Sequence, residues 1–449
     1  MIGLRRLSIF AVLLELAACG AERPDGLPSD EAAAVALSGT TISATTLGYG
    51  AGPDGRFYAA PSDGSGKSLK TRWPIVLSHP FSYTAANSFR GDTLDSSDQF
   101  DAYGVRTMLE AGGAVVYQPD KLAYGSSENR GRLLYKKCSG ITLEEQMCKG
   151  SGPVEIDGLH LATQKYCEDP ELRARNGFAD ETQCRRGLQF NVICHSQGCL
   201  DSRYMLAAVR NEFSGELMYK HVASWTSIAG ANKGTAQADV YLELSGSCLS
   251  QDCKSPAFDL ALAADSFRQG QGLNLNGSDS AVALTRKYVL LTTDMDCDPD
   301  QGNACAPSFN QLYPLPVDAT HPILYQTFSS QVFDIDHPCY SSKKANWQIV
   351  QDREGPNDGN ISVDSQMFTT YGWGGTGPVT PVLPRWVTGT TLDPAHPHPG
   401  LQHMAYCDLK VPGMSDGQLS CGEEDNSVYR FSRLDLYRDI VAELVSAGF

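Results

Sequence analysis

Between Trp73 and Ala231, short apolar runs alternate with stretches of helical spacing, and this alternation limits the fold more than any other feature of the chain. Ile75-Val76-Leu77, Ala114 to Tyr117, Phe190 to Ile193 and Val222 to Ile228 are each apolar on consecutive residues rather than every second one. A strand that is apolar on both faces must be covered on both faces, and a parallel sheet with helices on each side meets that condition. The intervening stretches supply helices at Phe100 to Ala111 (stopped by Gly112-Gly113), Val154 to Tyr166 and Asp201 to Arg210. Tyr288 to Leu291 and Trp347 to Val350 are expected to extend the sheet. Asp425 to Phe449 is expected to close the chain as an amphipathic helix, with Val428, Phe431, Ile440, Val441 and Leu444 inward. At 449 residues and 41% apolar, the chain can build a large core, and it shows no internal repeat. The expected class is α/β, a mostly parallel central sheet with helices on both faces.

Two stretches read as insertions into that pattern, near 138–184 and 242–279. The first, Cys138 to Cys184, is polar, cysteine-bearing and partly helical. The second could place Phe258, Ala261, Leu262 and Phe267 on one helix face, either as a packed surface helix or as a lid over an apolar pocket. Fourteen cysteines suit an oxidising compartment. Cys138 and Cys148, Cys167 and Cys184, Cys248 and Cys253, Cys297 and Cys305, and Cys407 and Cys421 are close enough in sequence for local bridges. Cysteine spacing of the zinc type is missing, so no metal is expected on these thiols. The net charge of −16 argues against nucleic acid as a partner.

Residues 1–19 read as an export signal: Arg5 and Arg6, then the apolar run Leu7 to Leu14, then small residues. The run is shorter than the roughly 20 residues needed to span a bilayer. Leu16-Ala17-Ala18-Cys19 resembles the lipobox of bacterial lipoproteins, although Glu15 is atypical. That resemblance implies cleavage before Cys19, lipidation of its sulfur and membrane contact through the anchor, in an outer-membrane or secreted protein. Residues 20–45, rich in Ala, Ser, Thr and Pro, read as a flexible tether, leaving 46–449 as the folded domain.

The chemistry concentrates in Cys194-His195-Ser196-Gln197-Gly198, set between a β run and a helix run. A serine hydroxyl at neutral pH needs a base, a group that orients the base, and donors for the oxyanion that forms. A sharp strand-to-helix turn lifts the serine out of the sheet and aims a helix N-terminus at the developing charge. Gly198 suits the close backbone approach. Cys194 stands where such a turn usually has glycine, and cysteine is small and tolerates burial.

From here the chain resembles a family. "WPIVLSHPF" (Trp73 to Phe81) is similar to the first strand and oxyanion loop of bacterial triacylglycerol lipases of the Pseudomonas and Burkholderia type. "MLEAGGAVVYQPD", "YGSSENRGRLL", "NVICHSQGCLDSRY" and "TSIAGANKGT" continue the likeness in order, to about Asp239, and it resumes near Pro356. The resemblance implies an α/β-hydrolase fold and carboxylic ester hydrolysis without a cofactor. Serine, acid and histidine follow one another along the chain in that fold. Asn357-Asp358-Gly359 looks like the acid turn, with Asp358 as the acid and Asp364 as the alternative. "GLQHMAYC" resembles the histidine loop and makes His403 the base, rather than His396 or His398 in "DPAHPHPG". The backbone N–H groups of Gln197 and Phe81 would form the oxyanion hole. Pro80, where the family has glycine, does not remove the second donor. His79 is expected to order that loop, and His195 to point away from the reactive side of Ser196. The family's calcium site would need an aspartate and a glutamine where Ala405 and Leu409 stand, so no metal is expected there. Cys194 and Cys199 could be buried thiols, bridge each other, or pair with Cys339, with a free thiol at Cys194 preferred.

The expected activity is a serine ester hydrolase, lipase-like, on lipid or other apolar esters. The alternatives are a polyester depolymerase, a non-catalytic surface binding protein on a hydrolase scaffold and, more weakly, a serine peptidase.

Overall fold

The apolar runs fold as strands in a computed structural model that describes residues 57–58, 68–81, 88–89, 104–119, 121–136, 158–244, 277–295, 297, 305–337, 340, 343–372, 379, 382–388, 390–391, 395, 399–406, 429–431 and 433–449. The strands are β1 (Phe57–Tyr58), β2 (Ile75–Ser78), β3 (Val116–Tyr117), β4 (Phe190–His195), β5 (Val222–Ile228), β6 (Leu324–Ser329) and β7 (Val382–Thr388). They form one sheet in the order β1-β7-β6-β5-β4-β2-β3, with every neighbouring pair parallel.

Alternate side chains of the same strand serve different cores. Ile75, Leu77 and Ile193 pack with Leu109 of α1 (Val105–Ala111) and with residues of the C-terminal helix (Arg433–Ser446), among them Ile440, Val441 and Leu444. Val76, Val192 and Cys194 point the other way. They pack with Leu134 of α2 (Ser127–Tyr135), Tyr166 of α3 (Gly158–Glu168) and Met205 of α4 (Gln197–Ala208). Both faces are thus covered, as continuous apolar strands require. The C-terminal helix starts at Arg433, later than the expected Asp425, because Tyr429–Arg430 is extended; it carries Ile440, Val441 and Leu444 to the core as expected, Phe431 is buried just before it, and Val428 lies outside the described residues.

Two expected strands are not strands. Lys344–Glu354 is helix α5, so Trp347 to Val350 lies outside the sheet. Val350 is buried and Trp347 half-buried three residues away, which is one face of a helix. Tyr288 to Leu291 also winds helically, within Lys287–Leu291. A four-residue apolar run has no period that separates a buried strand from a buried helix. β6 and β7 complete the sheet instead. Their polar residues hid them: Gln326 is buried and donates to Thr226 Oγ1 of β5 at 2.8 Å, and Arg385 pairs with Glu443 of the C-terminal helix at 2.9 Å. Pro384 is tolerated in β7 because β1 pairs only with Val387 and Thr388.

The register places the carboxyl ends of three strands side by side, with Ser78 opposite Cys194 and His195 opposite Ile228. This parallel sheet, with a serine at the tip of the turn between β4 and α4, is the α/β-hydrolase fold. In the first insertion, short helices at Pro170–Arg175 and Glu181–Gly187 follow α3, and Cys167–Cys184 is a disulfide, as is Cys297–Cys305. Cys19 and the tether, Cys138 and Cys148, Cys248 and Cys253, Cys407 and Cys421, and the Phe258 to Phe267 helix face lie outside the described residues.

Candidate active site

Ser196 joins β4 to α4 with φ 54° and ψ −130°, a backbone conformation that side-chain-bearing residues adopt only when their surroundings impose it. Three hydrogen bonds hold it: Ser196 N donates to Ile228 O at 3.3 Å, and Ser196 O accepts from Cys199 N at 3.1 Å and Ala231 N at 3.3 Å. The first turn of α4 then presses on the loop after β2. A Cβ added to Gly198 would sit 2.5 Å from Ser78 O and 2.6 Å from His79 O, so only glycine fits. Ser78 Oγ donates to Gly198 O at 3.0 Å across the same contact. Cys194 is not a free thiol, for it forms a disulfide with Cys199. The fold brings those two residues, on either side of a sharp turn, to a Cα separation of 5.0 Å, within the usual disulfide span.

Asp358 lies in a tight turn beyond α5. Its Oδ1 accepts from Asn360 N at 3.0 Å and Ile361 N at 2.8 Å, while Gly359 N donates to Asn357 Oδ1 at 2.8 Å. These are the local side-chain to backbone bonds that Asn and Asp favour in turns. They aim Asp358 Oδ2 at His403, whose Nδ1 is 2.8 Å away. The backbones are tied as well, with His403 N donating to Asp358 O at 2.8 Å. Both side chains are buried. Asp364, the alternative acid, is instead paired with Lys233 at 2.8 Å and exposed. His396 and His398 lie outside the described residues.

His195, next to Ser196, is buried and stacks on the His403 ring at a centroid distance of 4.7 Å. Its Nε2 donates to His403 O at 3.0 Å. Burial, and then the neighbouring His403, hold the His195 pKa well below its ordinary value, so this ring is a neutral spacer. The Ser196 hydroxyl makes no hydrogen bond to a described residue.

On the other side of the serine, Gln197 opens α4, and its N–H is one of the first-turn donors a helix cannot satisfy internally. Phe81 follows His79-Pro80, half-buried, with its ring 5.2 Å from Tyr124 edge-on. The loop between them is clamped by residues the sequence reading did not single out. Lys121 Nζ donates to Ser78 Oγ, His79 O and Asp201 Oδ2 at 2.9, 3.0 and 2.7 Å. Arg130 donates to His79 O at 3.1 Å, Pro80 O at 3.0 Å and Asp201 Oδ2 at 2.9 Å. All three charged side chains are fully buried. Because a peptide is planar and trans, pinning Pro80 O fixes the opposite direction of Phe81 N–H. Lys121 N also donates to His79 Nε2 at 3.1 Å, which leaves the ring proton on Nδ1, 3.1 Å from Pro80 O. Burial and the two cations hold the His79 pKa well below its usual value. His79 therefore orders the loop, as expected. Arg130 stands in the "YGSSENRGRLL" stretch and Asp201 in "NVICHSQGCLDSRY", but nothing in either stretch marks the two, 71 residues apart, as partners.

Neither a family model nor a curated protein matches this chain. Solved structures do. A metagenomic carboxyl esterase is similar at 13% identity over 84% of this chain and 76% of its own, with a TM-score of 0.43. A lipase of Staphylococcus hyicus matches at 14% identity over 85% of this chain and 98% of its own, with a TM-score of 0.44. EstA from Clostridium botulinum matches at 13% identity over 84% of this chain and 87% of its own, with a TM-score of 0.42. Likeness of this size leaves the activity to be argued from the site.

Proposed function

We propose that the protein is a serine carboxylic ester hydrolase, lipase-like, acting on apolar esters through an acyl-enzyme. The observation that carries this reading is the buried His403 Nδ1 to Asp358 Oδ2 hydrogen bond at 2.8 Å, on an imidazole stacked against the residue beside Ser196. With its Nδ1 proton held by Asp358, the imidazole of His403 presents Nε2 as the base. Ser196 Oγ attacks the acyl carbon, and its proton passes to His403 Nε2. Asp358 stabilises the imidazolium formed. The N–H groups of Gln197 and Phe81 receive the oxyanion, and Lys121 and Arg130 keep the second of these aimed. His403 then gives its proton to the leaving alcohol. A water molecule, deprotonated by the same imidazole, attacks the acyl carbon; the acyl–Oγ bond breaks, His403 returns the proton to Ser196 Oγ, and the acid leaves.

The family type, that of Pseudomonas and Burkholderia lipases, and an acylglycerol substrate belong to the same proposal and rest on the sequence motifs. So do export and a lipid anchor on Cys19; the disulfides Cys167–Cys184, Cys194–Cys199 and Cys297–Cys305 fit the oxidising compartment that export implies and do not bear on the anchor. The test is hydrolysis of p-nitrophenyl esters of increasing acyl length, with Ser196→Ala as control. Turnover that rises with chain length and disappears in the variant supports a lipase. Turnover confined to short acyl groups moves the reading to an esterase. No turnover with any ester favours the binding-protein alternative.

A further inference from the structure

We propose that the Cys194–Cys199 disulfide is a positioning device for the nucleophile: it closes a covalent ring around Ser196 and holds the serine in the backbone conformation that turnover needs. This inference rests on the hydrolase reading above. The bridge joins the penultimate residue of β4 to the third residue of α4, five positions on, with Ser196 between them.

Three observations converge on it. The first is the strain at Ser196, whose φ of 54° has no glycine to relieve it. The second is the thinness of the other restraints. The hydrogen bonds that fix the Ser196 backbone are 3.1 to 3.3 Å long, and its side chain makes none to a described residue. The third is the residue choice. A turn of this sharpness ordinarily carries glycine at position 194, because the strand end and the helix start pass close together. Here that position has a side chain, and it is accommodated by bonding to the side chain it would otherwise crowd. One covalent bond thereby replaces the freedom of a glycine with a fixed distance.

Both cysteines are fully buried, Cys194 with Val192 and Trp225 and Cys199 with Met205. A reductant in solution does not reach sulfurs placed like this without the elbow first opening, so the bridge acts as a brace. If it is absent, the backbone at Ser196 can relax toward negative φ. Such relaxation swings Oγ away from His403 and shifts Gln197 N–H together with the first turn of α4. An error of about 1 Å in such a geometry costs on the order of 100-fold in rate.

The experiment compares the full-length oxidised protein with Cys194→Ala/Cys199→Ala, and with Cys194→Gly/Cys199→Ala should the first not fold. Far-UV circular dichroism reports folding, p-nitrophenyl ester kinetics give kcat and KM, and a fluorophosphonate gives the labelling rate at Ser196. The expected result is a folded variant whose kcat and labelling rate both fall by about tenfold or more, with KM within about threefold of the parent. A purely stabilising bridge would leave kcat of the folded variant unchanged. The proposal is overturned by a folded variant that keeps the parent kcat, and equally if neither double variant folds, since the bridge would then serve the fold and not the serine. Parent protein without turnover or labelling would sink the hydrolase reading itself, which separates the two failures.

Discussion

Replacing Asp358 by asparagine keeps the shape of the site and removes its charge. Asp358 Oδ1 already accepts from Asn360 N and Ile361 N, so the amide oxygen of the asparagine stays on those two donors. Its NH2 then faces His403 Nδ1, where Oδ2 now lies at 2.8 Å. Two donors cannot share that contact. His403 must turn its proton to Nε2, the atom that in the proposed mechanism receives the proton of Ser196. The charge matters independently. An imidazolium and a carboxylate with centres about 4 Å apart attract by about 4 kcal/mol at an effective dielectric constant of about 20. At roughly 1.4 kcal/mol per decade, that alone is about a thousandfold in kcat. The tautomer error adds to it, so a loss of about 10³- to 10⁴-fold is expected, with KM within about threefold. The assay is steady-state hydrolysis of p-nitrophenyl butyrate, with thermal unfolding as the control for fold. An Asp358→Asn protein that folds and keeps more than about a tenth of the parent kcat would refute the reasoning.

Lys121→Met should leave Asp201 with Arg130 alone and free one side of the His79 loop. A stability loss of about 3 kcal/mol in chemical denaturation is expected, together with a lower kcat. Gly198→Ala forces a methyl group to within 2.6 Å of two carbonyl oxygens, and the variant should lose about 1–3 kcal/mol and most of its turnover in the same two assays. Stability should also depend on Asp239, whose pKa is raised to about 7 by burial and then by the Glu354 carboxylate, against the pull of Arg286 and Arg353. A raised carboxyl pKa means that the folded state holds the proton more tightly. Its stabilising contribution is therefore complete below about pH 4 and is lost as the pH rises toward 7. Urea titrations across that window should show a decline in the parent that is flattened in Asp239→Asn, and parallel curves would contradict it.

Features fixed by neighbouring residues were legible in the sequence, whereas those assembled across the fold were not. The elbow can be read because its needs are local: a run of buried residues, a serine, and Gly198 two positions later where the backbones meet. Asp358 and His403 are readable as a pair only through their order and the resemblance, since 45 residues separate them. The route between β6 and the turn that holds Asp358 is not legible in the sequence. The apolar residues of Trp347 to Val350 suit a strand or a helix equally over so short a run, and the surrounding Lys344–Glu354 decides for the helix. β6 and β7 escaped because tertiary partners make Gln326 and Arg385 acceptable inside a sheet. Arg130 and Asp201 stand in stretches that carry the resemblance, but the Lys121–Asp201–Arg130 cluster as such is not legible, for a buried ion pair is defined by what the fold places next to it. Cys194 was expected to be a free thiol, and its pairing with Cys199 emerges from the turn that brings the two residues together.

The most direct test of the central claim is the site of covalent modification by a fluorophosphonate, mapped by peptide mass spectrometry in the parent and in His403→Ala. If His403 activates Ser196, the parent carries one adduct, on Ser196, and His403→Ala reacts at least about a hundredfold more slowly. An adduct on another residue, or equal labelling rates in the two proteins, would contradict it.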